Sequence, residues 1–151
     1  MFYSAQDEVE IFYDENTFTI TEYVPLGLND KTSYYPLEQQ KISFFDNGYY
    51  KIETEMLFEP PQYNRKVLFH IYNATLSLLS KLQKSQALTD REEHDLENVP
   101  STLMICFLNG FDDAKQKLID AKLVLKQHPN TNVYTNFKEV MRVLRKMKYN
   151  N

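Results

Sequence analysis

A histidine stands among carboxylates at one place in this chain, Asp90-Arg91-Glu92-Glu93-His94-Asp95-Leu96-Glu97. On a helix, Asp90 and His94 are four residues apart, as are Glu93 and Glu97, so each pair shares a face. An imidazole and two carboxylates can hold a divalent ion. No second ligand pair at metal-site spacing occurs elsewhere. The segment is therefore expected to be a solvated, capped surface helix, with no metal and no cofactor. The lone cysteine, Cys106, lies inside the apolar run LMICFL. A reactive thiolate needs exposure and a nearby base, whereas in such a run cysteine behaves as a small hydrophobe. His70, next to Phe69, reads as a packed or surface residue, and His128, before Pro129, as a charge at a helix C-terminus. Glu53 and Glu55 share one strand face, but two exposed acids have no reason to shift their pKa values. There is no G-x-S-x-G elbow, no P-loop and no G-x-G-x-x-G, and only 3 glycines in all. A second alternative is an enzyme with a site assembled from distant residues, a metal-dependent one near His94 being one form of it.

Residues that could bind are better represented. The C-terminal segment sets Lys138, Arg142, Arg145, Lys146 and Lys148 against the single acid Glu139. Phe137, Val140, Met141, Leu144 and Met147 form an apolar stripe at helical spacing along it. A basic helix face can sit on phosphates, on an acidic protein, or on the acidic half of a second copy. Tyrosine is enriched at interface hot spots, and Tyr34, Tyr35, Tyr49 and Tyr63 are the candidates for exposed aromatic contacts. Charge is unevenly spread. Residues 1–62 hold 12 acidic and 3 basic residues, a balance of −9, and residues 63–151 hold 9 and 14, a balance of +5. Either half could steer a partner of opposite sign.

The elements that position these residues are readable in part. Val9, Ile11 and Tyr13 alternate with Glu10, Phe12 and Asp14, and Phe18, Ile20 and Val24 alternate along Thr17–Val24. With Asp14-Glu15-Asn16 as a turn between them, these runs predict one hairpin. Lys41–Phe58 predicts a second. A three-residue loop at Asp46-Asn47-Gly48, with Gly48 left-handed, pairs Phe44 with Tyr50, Ile42 with Ile52 and Lys41 with Glu53. A two-residue Asn47-Gly48 turn would set apolar residues against charged ones, so the first register is preferred. Pro25 to Pro36 predicts a connection of about a dozen residues, a length often tied to function. Within the second hairpin, Gln39-Gln40-Lys41-Ile42-Ser43-Phe44 has the Q-x-x-L/I-x-F spacing that resembles bacterial sliding-clamp binding peptides, which are usually accessible tails or linkers. Ile42 and Phe44 are already committed to the hairpin.

Pro60-Pro61 ends the strands. Lys66–Leu82 predicts a helix with Leu68, Ile71, Tyr72, Thr75, Leu78, Leu79 and Leu82 on one face. Thr89-Asp90-Arg91-Glu92 predicts a capping box. Periodicity cannot decide whether Leu103–Leu108 is strand or helix, and residue propensity favours helix. A further helix is expected from Asp112 to His128, a turn at Asn130-Thr131-Asn132, and a last helix from about Asn136 to Lys148.

These readings predict an α+β fold: an N-terminal antiparallel sheet of about four strands, in two hairpins, packed against a C-terminal set of three to five helices. A single domain is expected over 1–151, mainly β in 1–60 and mainly α in 64–149. The expected core comprises Ile11, Phe18, Ile20, Ile42, Phe44, Ile52, Leu68, Ile71, Leu78, Leu82, Leu118, Leu125, Val140 and Leu144. One cysteine cannot form an internal disulfide, no signal peptide is evident, and no apolar run reaches about 18 residues. These point to a cytoplasmic protein without a membrane span. The expected function is a small protein-binding, inhibitor-type protein of immunity or phage and plasmid counter-defence style, which acts by occupying a partner protein. The alternative is a nucleic-acid-associated protein using the basic C-terminal helix. Homo-oligomerisation stays open.

Overall fold

The structure, a computed structural model, describes residues 2–6, 9–28 and 31–150. The strands are β1 (Phe2–Gln6), β2 (Val9–Asp14), β3 (Thr17–Leu28), β4 (Lys31–Phe44) and β5 (Tyr50–Met56). The helices are α1 (Arg65–Gln83), α2 (Asp90–Leu96), α3 (Val99–Leu108), α4 (Ala114–Asp120), α5 (Lys122–Gln127) and α6 (Thr131–Asn150). The fold is α+β, an N-terminal antiparallel sheet followed by helices. The chain divides into two compact units, one of Met1–Pro25, Ser33–Glu59 and Met147–Asn151, the other of Leu26–Thr32 and Pro60–Lys146.

In the first unit the turn chemistry sets the register. Phe45 N–H donates to Tyr49 O at 2.9 Å, which leaves Asp46-Asn47-Gly48 as a three-residue loop, and Gly48 sits at φ 86°. A side chain there would be strained even though the space is open. Phe44 pairs with Tyr50, Ile42 with Ile52 and Lys41 with Glu53, as the sequence predicts. β2 and β3 join at Glu15-Asn16, with Ile11 opposite Ile20 and Tyr13 opposite Phe18. β1, which the alternation did not reveal, pairs with β2, and the sheet order follows the chain, β1-β2-β3-β4-β5. The Q-x-x-L/I-x-F hexapeptide lies within β4, paired to β5, and is no free tail.

Of the connection expected over Pro25–Pro36, residues 25–28 and 31–36 are strand instead, because β3 continues to Leu28 and β4 begins at Lys31, and residues 29–30 lie outside the described residues. A distant residue stabilises this extension. Gly27 N–H donates to Ser101 Oγ at 2.9 Å, and Ser101 Oγ donates back to Gly27 O at 2.6 Å, 74 residues along the chain. Thr102 Oγ1 adds a bond to the same carbonyl. A Cβ on residue 27 would overlap the side-chain amide of Asn98, which would have to move aside to admit it.

The second unit, to which Gly27 and Ser101 both belong, is built around α3. Every residue from Val99 to Cys106 is buried, as expected of a helix apolar on all sides. This settles Leu103–Leu108 as helix. α3 packs against α1 and α4. Asn64 caps α1 by accepting from Lys66 and Val67 N–H, and Thr89 and Glu92 form the expected capping box on α2. Asn109 closes α3: its Nδ2 donates to Pro61 O and Ile105 O, both at 2.9 Å, and its Oδ1 accepts from Tyr63 N–H. The helix expected from Asp112 to His128 is broken at Ala121 into α4 and α5, and α6 begins at Thr131, where a turn was expected.

The expected core holds for Leu68, Leu78, Leu118, Leu125, Val140 and Leu144, which are buried, but not for the sheet. Phe44 is 43% exposed and Ile52 53%, while Ile11, Phe18, Ile20, Ile42, Ile71 and Leu82 are half-buried. Alternation fixes which residues share a face and says nothing of whether that face is covered. Val24, Leu26, Leu37, Leu96, Val99 and Met104 are core residues absent from the expected set.

Removing Ser101 Oγ leaves the buried Gly27 N–H without that partner. Ser101→Ala should therefore lower stability by about 1–3 kcal/mol, and Gly27→Ala should also destabilise through the clash with Asn98. Urea unfolding of the two variants beside wild type measures both; an unchanged midpoint for Ser101→Ala would refute the role assigned to it.

Candidate functional site

Two surfaces stand out. The first lies on the sheet. Tyr13 of β2 stacks on Phe18 of β3 with centroids 5.0 Å apart, Phe18 meets Phe44 of β4 edge-on at 5.8 Å, and Phe44 lies 6.2 Å from Tyr50 of β5. A row of rings thus crosses four strands. Beside it run the paired isoleucines Ile11 and Ile20, and Ile42 and Ile52. Strand alternation puts all of these on one face. The face is partly in water: Tyr50 is 62% exposed, besides Ile52 and Phe44, while Ile11, Phe18, Ile20 and Ile42 are half-buried. Acids bracket it. Asp14, Glu15 and Asp46 occupy the turns at the aromatic end, while Glu22, opposite Val9, and Glu38, opposite Met56, lie at the other. Lys41 pairs with Glu53 on the reverse face.

The second surface is a cleft of about 380 Å³ in the helical unit. Tyr134, Phe137 and Met141 of α6 and Ile119 of α4 supply apolar walls, and Lys122 of α5 with Lys138 and Arg145 of α6 supply cations. Tyr134 and Phe137 stack with centroids 5.7 Å apart and planes 11° apart. Lys138 Nζ lies 5.1 Å and Lys126 Nζ 5.9 Å from the Tyr134 ring centroid, close enough for the ring to hold both ammonium groups.

Of the residues singled out in the basic helix, Lys138 and Arg145 line this cleft. Arg142 instead grips Glu139, with Nη2 to Oε1 at 2.7 Å and Nε to Oε2 at 3.2 Å. Lys146 is half-buried, and the Lys148 side chain lies outside the described residues. Of the four tyrosines, Tyr34 on β4 and Tyr49 beside the β4–β5 loop are 61% and 70% exposed. Tyr35 is half-buried, edge-on to Phe58 at 6.3 Å. Tyr63 is half-buried before α1, its backbone held by Asn109. The aromatic row of the sheet went unseen as a surface because Phe44 and Ile52 were assigned to the core; the predicted register already placed them side by side.

The chemistry-bearing groups are otherwise engaged. The acidic segment acts as a set of clamps. Lys81 Nζ donates to Glu92 Oε2 at 2.8 Å, His128 Nε2 lies 3.1 Å from Glu93 Oε2, and Glu97 Oε1 accepts from Asn130 and Asn132. The Lys81 hydrogen bond, with that from Thr89 N–H, holds the Glu92 carboxyl below its ordinary range. His94 is exposed, and the described residues contain no group of three His, Cys, Asp or Glu side chains placed to hold a metal. Asn130 N–H donates to His128 Nδ1 at 3.0 Å, which assigns the ring proton to Nε2 and directs it at Glu93. Burial pushes the Cys106 thiol from 9.0 up to about 12. A second cleft, of about 330 Å³, has Arg65 stacked 4.7 Å over Phe111, which is itself 5.1 Å from Tyr72. Burial and then the Asp113 charge raise the Tyr72 hydroxyl. No helix among the described residues is long and apolar enough to cross a membrane.

A protein-family model described as Domain of unknown function (DUF5929) matches residues 1–150, and the chain belongs to that family. No curated protein and no solved structure matches it.

Two outcomes follow from the engaged groups. A thiol at about 12 is un-ionised in mild alkali, so Cys106 should stay unreactive to a disulfide reagent in the native protein and titrate fully in urea; rapid native reaction would contradict its burial. For Glu92, a lowered folded pKa stabilises above the unfolded value of 4.5 and the gain is lost as pH falls through the folded one. The stability gap between wild type and Lys81→Met should thus narrow as pH drops below the ordinary carboxylate range. Urea midpoints at neutral and acid pH test this, and a gap independent of pH would contradict it.

Proposed function

We propose that this protein is a binding protein of inhibitor type that occupies a partner protein through the exposed aromatic and isoleucine face of its sheet. One observation carries the reading: four rings and two isoleucine pairs lie contiguous on a face where Tyr50, Ile52 and Phe44 are all exposed. Monomeric proteins rarely present large contiguous apolar patches, and polar-rimmed ones mark interaction sites. Aromatic anchors at the centre of such a patch carry most of an interface's energy. The acids at both ends select the partner's chemistry: an apolar patch rimmed by Lys and Arg. They repel a phosphate backbone, which supports a protein over a nucleic acid on this face. Tyr34 and Tyr49 belong to the same unit and supply further exposed anchors. The absence of catalytic motifs in the sequence agrees with a protein that acts by occupancy, and a lone buried thiol suits the reducing cytoplasm.

The test is affinity capture from the native host with quantitative mass spectrometry, followed by titration calorimetry on the captured protein. Wild type should retain a stoichiometric protein that survives nuclease treatment. Tyr50→Ala with Ile52→Lys should weaken it by at least about 30-fold, the loss of one hot spot of about 2 kcal/mol. Lys51→Ala, on the reverse face, should leave it unchanged. Circular dichroism checks that all variants fold. A partner held equally by the face variant, or material released by nuclease, would overturn the reading.

A further inference from the structure

The cleft bounded by α4, α5 and α6 has a composition opposite to that of the sheet face. Its walls are apolar and its rim is cationic. Ile119, on its wall, is 39% exposed. A large aliphatic group left in water gains free energy when an apolar group covers it. Lys122, Lys138 and Arg145 are all exposed at its rim. The nearest acid along α6, Glu139, is neutralised by two hydrogen bonds from Arg142, and Asp120 accepts from Gln116 Nε2 at 2.8 Å.

We infer that this cleft is a docking site for an acidic peptide segment carrying a bulky apolar anchor, supplied by a protein partner. A volume of about 380 Å³ lies at the small end of ligand pockets. It suits one or two side chains of a peptide better than a large cofactor. The anchor fills the space between Ile119, Phe137 and Met141, and flanking carboxylates meet Lys122, Lys138 and Arg145. Tyr134 sets this arrangement. Phe137 stacks against its ring, and Lys138 and Lys126 lie over it, so the ammonium groups are held in place before any anion arrives, which lowers the ordering cost of binding. The same contacts leave the Tyr134 ring engaged by neighbours and ill suited to stack a base, the contact that single-stranded nucleic acids use. The balance of +5 over residues 63–151 favours the acidic segment locally, within a chain whose net charge is −4. The site is built from other residues than the sheet face and takes the opposite charge, so its standing does not depend on the function proposed above.

The experiment is fluorescence anisotropy with a fluorescein-labelled peptide of Asp and Glu residues around a central Leu-Phe pair. Wild type should bind it. Lys138→Glu with Arg145→Glu should weaken binding at least tenfold, and Lys122→Glu alone should weaken it several-fold, which keeps the test alive if the double variant fails to fold. A peptide with Ser-Ser in place of Leu-Phe should bind several-fold less well, and Tyr50→Ala with Ile52→Lys should bind as wild type does. No binding, equal binding of the Ser-Ser peptide, insensitivity to the charge reversals, or tighter binding of a single-stranded oligonucleotide of equal charge would each overturn the inference.

Discussion

A helix that is apolar on every side has nowhere to sit but inside, and the helical unit is arranged by that demand. Val99 to Cys106 leaves no residue in water. α1 and α4 supply two of its walls. Burying α3 also buries Ser101 and Thr102, whose hydroxyls need partners away from water. The backbone of Gly27 answers that need, and a strand end is thereby drawn into the helical unit. Glycine at residue 27 suits the same closeness, since the Asn98 side chain occupies the space a Cβ would take.

Electrostatics finishes what burial begins. The acidic segment resembles an ion site in sequence, yet three of its carboxylates are spent on different neighbours: Glu92 on Lys81, Glu93 on His128, Glu97 on Asn130 and Asn132. These bonds tie one short helix to α1, to the end of α5 and to the start of α6. A cluster of acids along a chain is dispersed when the helix turns them outward at about 100° per residue, and each then finds the donor on its own side.

Charge distinguishes two of the places where apolar surface remains in water. The sheet face is rimmed by acids and the α4–α6 cleft by lysine and arginine. Area alone does not fix affinity or partner; the charged rim steers encounter and rejects partners of the wrong sign.

Much of the fold was legible because it rests on local rules. Gly48 must be left-handed, and that set the β4–β5 register to the residue. Thr89 begins a helix because its side chain accepts from an amide that follows, whereas the like cap at Asn64 was found only in the structure. Properties that depend on residues far apart were not legible. The extension of β3 past Pro25 depends on Ser101, the break at Ala121 carries no glycine or proline signal, and β1 lacks a clear alternation. The basic helix was legible as a charge pattern, but not that Lys138 and Arg145 share a cleft with Ile119 and Lys122 from other helices, nor that Arg142 is turned to Glu139. By itself the sequence determined which residues share a face, since backbone geometry repeats every two residues in a strand and every 3.6 in a helix. Only the tertiary structure decided which faces are covered, because burial depends on which distant surface comes to lie there. For Phe44 and Ile52 no such surface does, and the hairpin that looked like core presents its rings to water.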